Sequence, residues 1–167
     1  MFRISTVKIS RAGVIGALYV GLSLLTMPIS SGLIQLRLSE ALTILPLLFP
    51  ETAIGLFIGC MLSNLICGCA VYDIVLGAII TLIAGVMTAV MGKAIKNKPL
   101  KVAIGGLFPV VLNAFLLPLV WWLCYGQLEV LYILQVAYLT CSQTIAVYGV
   151  GIPLYIGADK FATKKLL

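Results

Sequence analysis

The chain contains no histidine. That removes the commonest proton shuttle and metal ligand, and with it the usual base that activates a serine or cysteine nucleophile. Charge is scarce too: 10% of the 167 residues are Asp, Glu, Lys or Arg, against 62% apolar. A soluble domain is about a quarter charged, so this chain cannot clothe a surface that faces water. Its mean hydropathy of +1.20 places it in lipid. A phosphate-binding loop is missing as well. Gly92-Lys93-Ala94 is the nearest imitation, but the glycine required five residues earlier is absent and Ala94 stands where Ser or Thr would hold magnesium. No catalytic residues are legible, and the chain reads as something other than an enzyme. If it transports actively, the energy comes from an ion gradient or from another polypeptide.

The five cysteines, Cys60, Cys67, Cys69, Cys124 and Cys141, lie in or beside apolar runs. Cys67-Gly68-Cys69 has neither the histidines nor the second closely spaced cysteine pair of a metal site. The cysteines read as small packing residues, and no metal is expected. The excess of 11 Lys and Arg over 5 Asp and Glu would suggest nucleic acid on a soluble face. In a membrane chain it reports orientation instead, and no nucleic-acid partner is expected.

A helix needs roughly 20 apolar residues to cross the hydrocarbon core. Apolar runs predict spans at about 10–27, 39–50, 52–68, 73–92, 102–124 and 131–157. Whether 39–68 forms one span or two is decided by charge. The basic residues fall into three groups, Arg3–Arg11, Lys93–Lys101 and Lys160–Lys165, with Arg37 alone outside them. Lys and Arg beside spans favour the cytoplasmic side, and only two spans in 39–68 put all three groups there. The expectation is an all-α membrane protein, a six-helix bundle with both termini cytoplasmic. Arg37, Glu40, Asp73 and Glu129 then lie on or near the outer side. Trp121, Trp122 and Tyr125 end the fifth span as interfacial anchors. The N-terminal stretch lacks a small-residue cleavage site and is expected to stay attached.

The first span carries Gly13, Ala17 and Gly21 at intervals of four, with Gly16 alongside. Residues four apart share a helix face, so another helix can approach closely there. Packing within the bundle and docking of a partner both fit. Gly55 and Gly59 make a similar groove, as do Gly77, Gly85 and Ala89.

Polar and ionisable groups at membrane depth are costly and usually paired or functional. Ser39, Glu40 and Asp73 each suit a helix N-terminus, and Arg37 is spaced to pair with Glu40. Asn64, Asn113 and Gln143 sit deep in three spans, where interhelical hydrogen bonds would satisfy them. The alternative is that Arg37, Glu40, Asn64, Asp73, Asn113 and Gln143 converge on a cavity for a small polar ligand.

The stretch Ile34-Gln35-Leu36-Arg37-Leu38-Ser39-Glu40-Ala41-Leu42-Thr43-Ile44-Leu45-Pro46 resembles the signature segment of the QueT family. Gly55-Leu56-Phe57-Ile58-Gly59-Cys60, Ser63-Asn64-Leu65 and Asp73-Ile74-Val75-Leu76-Gly77 add to the likeness. The resemblance spans about 8–160, with its specific part at 34–77. It implies the substrate-binding S component of an energy-coupling factor importer, an ABC-type system of bacterial and archaeal cytoplasmic membranes. Such a component captures a queuosine precursor, a 7-deazaguanine, from outside. It docks on a transmembrane T subunit and two cytoplasmic ATPases, so ATP is used by the partners and this chain needs no cofactor. Gly13, Gly16, Ala17 and Gly21 become the docking surface. Glu40 or Asp73 would take the donor edge of the base, the other carboxylate neutralising an aminomethyl group where one is present. Asn64, Asn113 and Gln143 would serve the carbonyl and ring nitrogens, and Tyr72, Phe115 or Tyr138 would stack. Outside that likeness stand a small ion-coupled secondary transporter of a nucleobase-like solute, with Glu40 or Asp73 carrying a proton, and a purely structural membrane subunit.

Overall fold

A computed structural model describes residues 5–30, 35–126, 128 and 130–164. Arg3, Ile34, Glu129 and Lys165, each used in the sequence reading, lie outside the described residues. The described chain is helical. Helix α1 is Thr6–Leu25, followed by a single turn at Met27–Ser30. A 3₁₀ segment occupies Leu38–Leu47, and α2 is Thr52–Ile66. Helix α3 opens in a π turn, Asp73–Gly77, and continues as Ala78–Ala94. Helix α4 is Lys98–Tyr125. Helix α5 begins at Tyr132–Thr144, passes through a π-helical stretch at Ile145–Val150 and ends with Gly151–Lys164.

Four of these helices, α1, α3, α4 and α5, are long and apolar enough to cross a membrane. The segments expected as the second and third spans are shorter, at 10 and 15 residues. Ten residues of 3₁₀ helix rise about 20 Å, where an α-helix would rise about 15 Å. Extension of that kind suits a short segment lying deep in a bundle.

Every residue from Ser39 to Leu47 is buried, and the segment packs against α1, α2, α3, α4 and α5. Its two sides feed different clusters. Leu42 and Leu45 join Tyr19, Leu56, Cys60 and Ala78, while Ile44 and Leu47 join Val110, Val147 and Tyr155. Its spacing of three residues per turn is matched by the Thr43 hydroxyl, which donates to the Glu40 carbonyl at 2.6 Å.

Close backbone approach fixes the rest. A Cβ on Gly16 would lie 2.8 Å from the Gly55 carbonyl oxygen, and one on Gly59 would lie 2.8 Å from that of Gly16. Helices α1 and α2 therefore touch through glycine, as small residues allow where lipid supplies no hydrophobic drive. Pro109, inside α4, leaves the Gly105 carbonyl without its helical N–H. Thr88 of α3 fills the vacancy, donating to that oxygen at 3.0 Å.

The two ends of the bundle differ. At the basic end Arg11 pairs with Glu51 at 2.5 Å and lies 4.0 Å over the Phe49 ring, and Lys98 pairs with Asp159 at 2.6 Å. At the opposite end lie the N-terminal part of the 3₁₀ segment, the α2–α3 turn and the last turns of α1 and α4.

Candidate functional site

Five elements converge at that opposite end. The 3₁₀ segment brings Glu40 and, just before its start, Arg37; α2 brings Ser63 and Asn64, α3 brings Asp73, α4 brings Asn113 and Trp121, and α1 brings Tyr19 and Ser23. Glu40 is 3% exposed and Asn113 2%. Polar groups this deep demand partners, and each has them. The Glu40 carboxylate accepts the Tyr19 hydroxyl at 2.5 Å on one oxygen and the Asn113 amide at 3.0 Å on the other. The same amide reaches Gln143 at 3.4 Å. Arg37 donates to the Asn64 carbonyl oxygen at 3.1 Å, and the Asn64 amide donates to the Asp73 backbone carbonyl at 3.0 Å.

Asp73 is expected from the sequence as a helix cap. Its side chain caps nothing; it accepts the Trp121 indole N–H at 2.7 Å and the Tyr125 hydroxyl at 2.8 Å. Nor does Arg37 pair with Glu40: among the described residues the two make no contact within the 4.0 Å of an ion pair. Ser39 does not cap either, but accepts the Ser23 hydroxyl at 2.8 Å.

These groups surround two neighbouring spaces. The outer is a cavity of about 240 Å³ lined by Gln35, Arg37, Ser63, Asn64, Asp73 and Trp121, among others. The inner is a void of about 20 Å³ that adds Glu40, Gly77, Thr81 and Asn113. Arg37, Asn64, Asp73 and Trp121 line both. Sites for drug-sized ligands run from about 300 to 1,000 Å³, so the outer cavity suits a smaller molecule. Gln143 lines neither space and reaches the site through Asn113.

Tyr72, Phe115 and Tyr138, the stacking candidates, lie on the outside at 53%, 47% and 38% exposure. The aromatic ring at the cavity is Trp121, which the sequence reading assigns to the membrane interface. The signal was available: Asn113, Leu117 and Trp121 recur every four residues and so share the face of α4 that turns inward. Tyr19 is a second omission, legible by the same spacing from Ser23. Cys67 and Cys69 also line the outer cavity rather than merely packing. Burial pushes the Cys69 thiol up from its ordinary value, with Arg37 pulling the other way. Gln35, in the lining of the outer cavity, has φ 44°, a left-handed conformation uncommon outside glycine.

The small residues of α1 divide. Gly16 is buried against Gly55, whereas Gly13, Ala17 and Gly21 are exposed. Between α1 and α2 runs an apolar groove of about 650 Å³, lined by Gly13, Gly16, Ala17, Ile54, Ile58 and Leu62 among others.

A family model described as QueT transporter matches residues 9–160. The chain belongs to the QueT transporter family. A QueT protein is a transporter and not an enzyme, and the four long apolar helices agree with an integral membrane protein. Comparison with curated proteins and with solved structures returned no match.

Proposed function

We propose that this QueT protein is the substrate-capturing S component of an energy-coupling factor importer in a bacterial or archaeal membrane, and that its cargo is a queuosine precursor of the 7-deazaguanine type. The observation that carries the reading is the meeting of Arg37, Asn64, Asp73 and Trp121 around one small cavity, with Glu40 and Asn113 beneath it. A 7-deazaguanine has a flat face, a carbonyl acceptor and a row of N–H donors. Trp121 offers a stacking face, worth about 1–3 kcal/mol with a nucleic-acid base. The Arg37 guanidinium offers donors to the carbonyl, and the carboxylates and amides offer acceptors to the N–H groups. Hydrogen bonds to charged groups contribute about 1.5–3 kcal/mol each.

In this reading the 3₁₀ segment and α2 are the second and third of six spans. Both termini and the Lys93–Lys101 turn face the cytoplasm, and the cavity opens outward. The groove between α1 and α2, bordered by Gly13, Gly16 and Ala17 with Gly21 further along α1, takes the T subunit, which couples the chain to two ATPases. Saturable heat on titrating 7-deazaguanines into the purified protein is the expected result. None with any of them, in protein shown to be folded, removes the cargo. Uptake into vesicles is expected only with the T subunit, ATPases and ATP; gradient-driven uptake by this chain alone assigns it instead as an ion-coupled secondary transporter.

A further inference from the structure

We infer that Cys67 and Cys69 are a redox-active pair on the wall of the outer cavity. A small-molecule disulfide that reacts with one of the two thiols is displaced by the other, leaving a Cys67–Cys69 bridge and a wall free of adduct. The pair acts in this way whatever the cavity carries.

Placement comes first. Helix α2 ends at Ile66, and the chain turns away through Gly68, whose φ of 71° is left-handed. The Gly68 N–H donates to the Leu65 carbonyl at 3.2 Å, and the Cys69 N–H donates to the Asn64 carbonyl at 2.9 Å. Those two bonds make a Schellman motif, the helix stop that a left-handed glycine allows. It sets one cysteine on each side of the glycine. Residues two apart have α carbons at most about 7 Å apart even in extended chain. A turn brings them nearer, within the reach of a disulfide. Both cysteines are free, half-buried and on the border of the outer cavity.

The other cysteines are differently placed. Cys60 is 3% exposed, and its sulfur accepts from the Asn64 amide at 3.7 Å and the Thr81 hydroxyl at 3.5 Å. Cys124 and Cys141 border neither space.

Chemistry comes second. A thiolate is the nucleophile in exchange with a disulfide. Burial pushes the Cys69 thiol up and Arg37, on the same cavity, draws it back, so mildly alkaline solution supplies the thiolate. One cysteine thiolate attacks the small disulfide RSSR; a cysteine S–SR bond forms and RS⁻ leaves. The second thiolate attacks the cysteine sulfur of that mixed disulfide, the bridge forms and the second RS⁻ leaves. Two cysteine thiols are oxidised, one external disulfide is reduced to two thiols, and the cysteine protons end on them. The second attack is intramolecular, which favours it strongly over any reagent arriving from solution. A cavity of about 240 Å³ is easily obstructed by an adduct on its wall, and the second cysteine clears what the first collects. In the outward orientation proposed above, that wall faces the side of the membrane where disulfides persist.

The test exposes the purified full-length protein, at mildly alkaline pH, to bis(2-hydroxyethyl) disulfide and follows each cysteine by peptide mapping. The peptide that holds Cys67 and Cys69 is expected to pass through a hydroxyethyl adduct and to end two hydrogens lighter than its reduced form. Dithiothreitol should restore it. Cys67→Ser and Cys69→Ser are each expected to hold the adduct on the remaining thiol, decaying at least about tenfold more slowly than in the wild-type chain, a modest demand beside the effective molarities of tethered groups. Equal adduct lifetimes, no reaction at either cysteine, or a bridge to Cys60, Cys124 or Cys141 overturn the inference. Cys124 adjoins Tyr125, which meets Asp73 on the cavity wall, and is the rival partner for Cys69. Cys124→Ser is expected to leave the Cys67–Cys69 bridge in place, and its loss there overturns the pairing.

Discussion

At the basic end of the bundle, opposite charges meet directly: Arg11 on Glu51 and Lys98 on Asp159. At the other end they are kept apart. Arg37 reaches an amide, Glu40 receives a phenol and an amide, and Asp73 receives an indole and a phenol. The first arrangement is complete in itself and binds turns together. The second neutralises no charge with another, and it borders the outer cavity and the inner void. Charges held by neutral partners are satisfied enough to persist at depth yet still have bonding capacity for a ligand. That is the difference between a clasp and a receptor.

Substitutions at the two ends should separate clearly. Glu40→Ala is expected to have the largest effect, because it orphans the Tyr19 hydroxyl at about 1–3 kcal/mol and leaves the Asn113 amide only its longer bond to Gln143. A large drop in thermal stability in detergent, with loss of ligand binding, is the expected readout; unchanged stability would mean that the network does not hold the fold. Gly55→Val comes next. A Cβ there meets the Ala12 backbone, and overpacking costs about 1–3 kcal/mol. The melting temperature should fall, whereas the exposed Gly21→Ala should leave it unchanged. Trp121→Ala should then weaken 7-deazaguanine binding by about 1–3 kcal/mol, and a calorimetric titration that shows no loss would remove the stacking role. Smallest of all, Arg11→Ala breaks a partly exposed pair worth at most about 1 kcal/mol. Ligand affinity is expected to be untouched, and a marked loss would erase the contrast between the ends.

Much of the architecture was legible because hydropathy and charge are long-range signals. Apolar length located the four long helices, and Asn64 and Asn113 stood out because an amide at membrane depth demands a partner. The 3₁₀ segment was not legible. Leu38–Leu47 has the composition of an α-helix, and in the fold it is packed against five helices at once. The cap expected of Asp73 fails for a related reason: a carboxylate near a helix start suits a cap, and only tertiary structure brings Trp121 and Tyr125, about fifty residues later, onto it. The Arg37–Glu40 spacing likewise suited an ion pair, until Asn64 supplied the nearer partner. In α1 the small-residue pattern was visible, but its division between an inward Gly16 and an outward Gly13 and Ala17 required knowing which neighbour α2 presents.

The central claim is that a flat heterocycle lies beside Trp121 with the carboxylates around it. The chain has two tryptophans, so Trp122→Phe leaves Trp121 as the sole indole fluorophore. Titration of that protein with 7-aminomethyl-7-deazaguanine should quench its emission saturably, at the concentrations where calorimetry records binding. Emission that stays constant while heat is released would put the ligand elsewhere and contradict the claim.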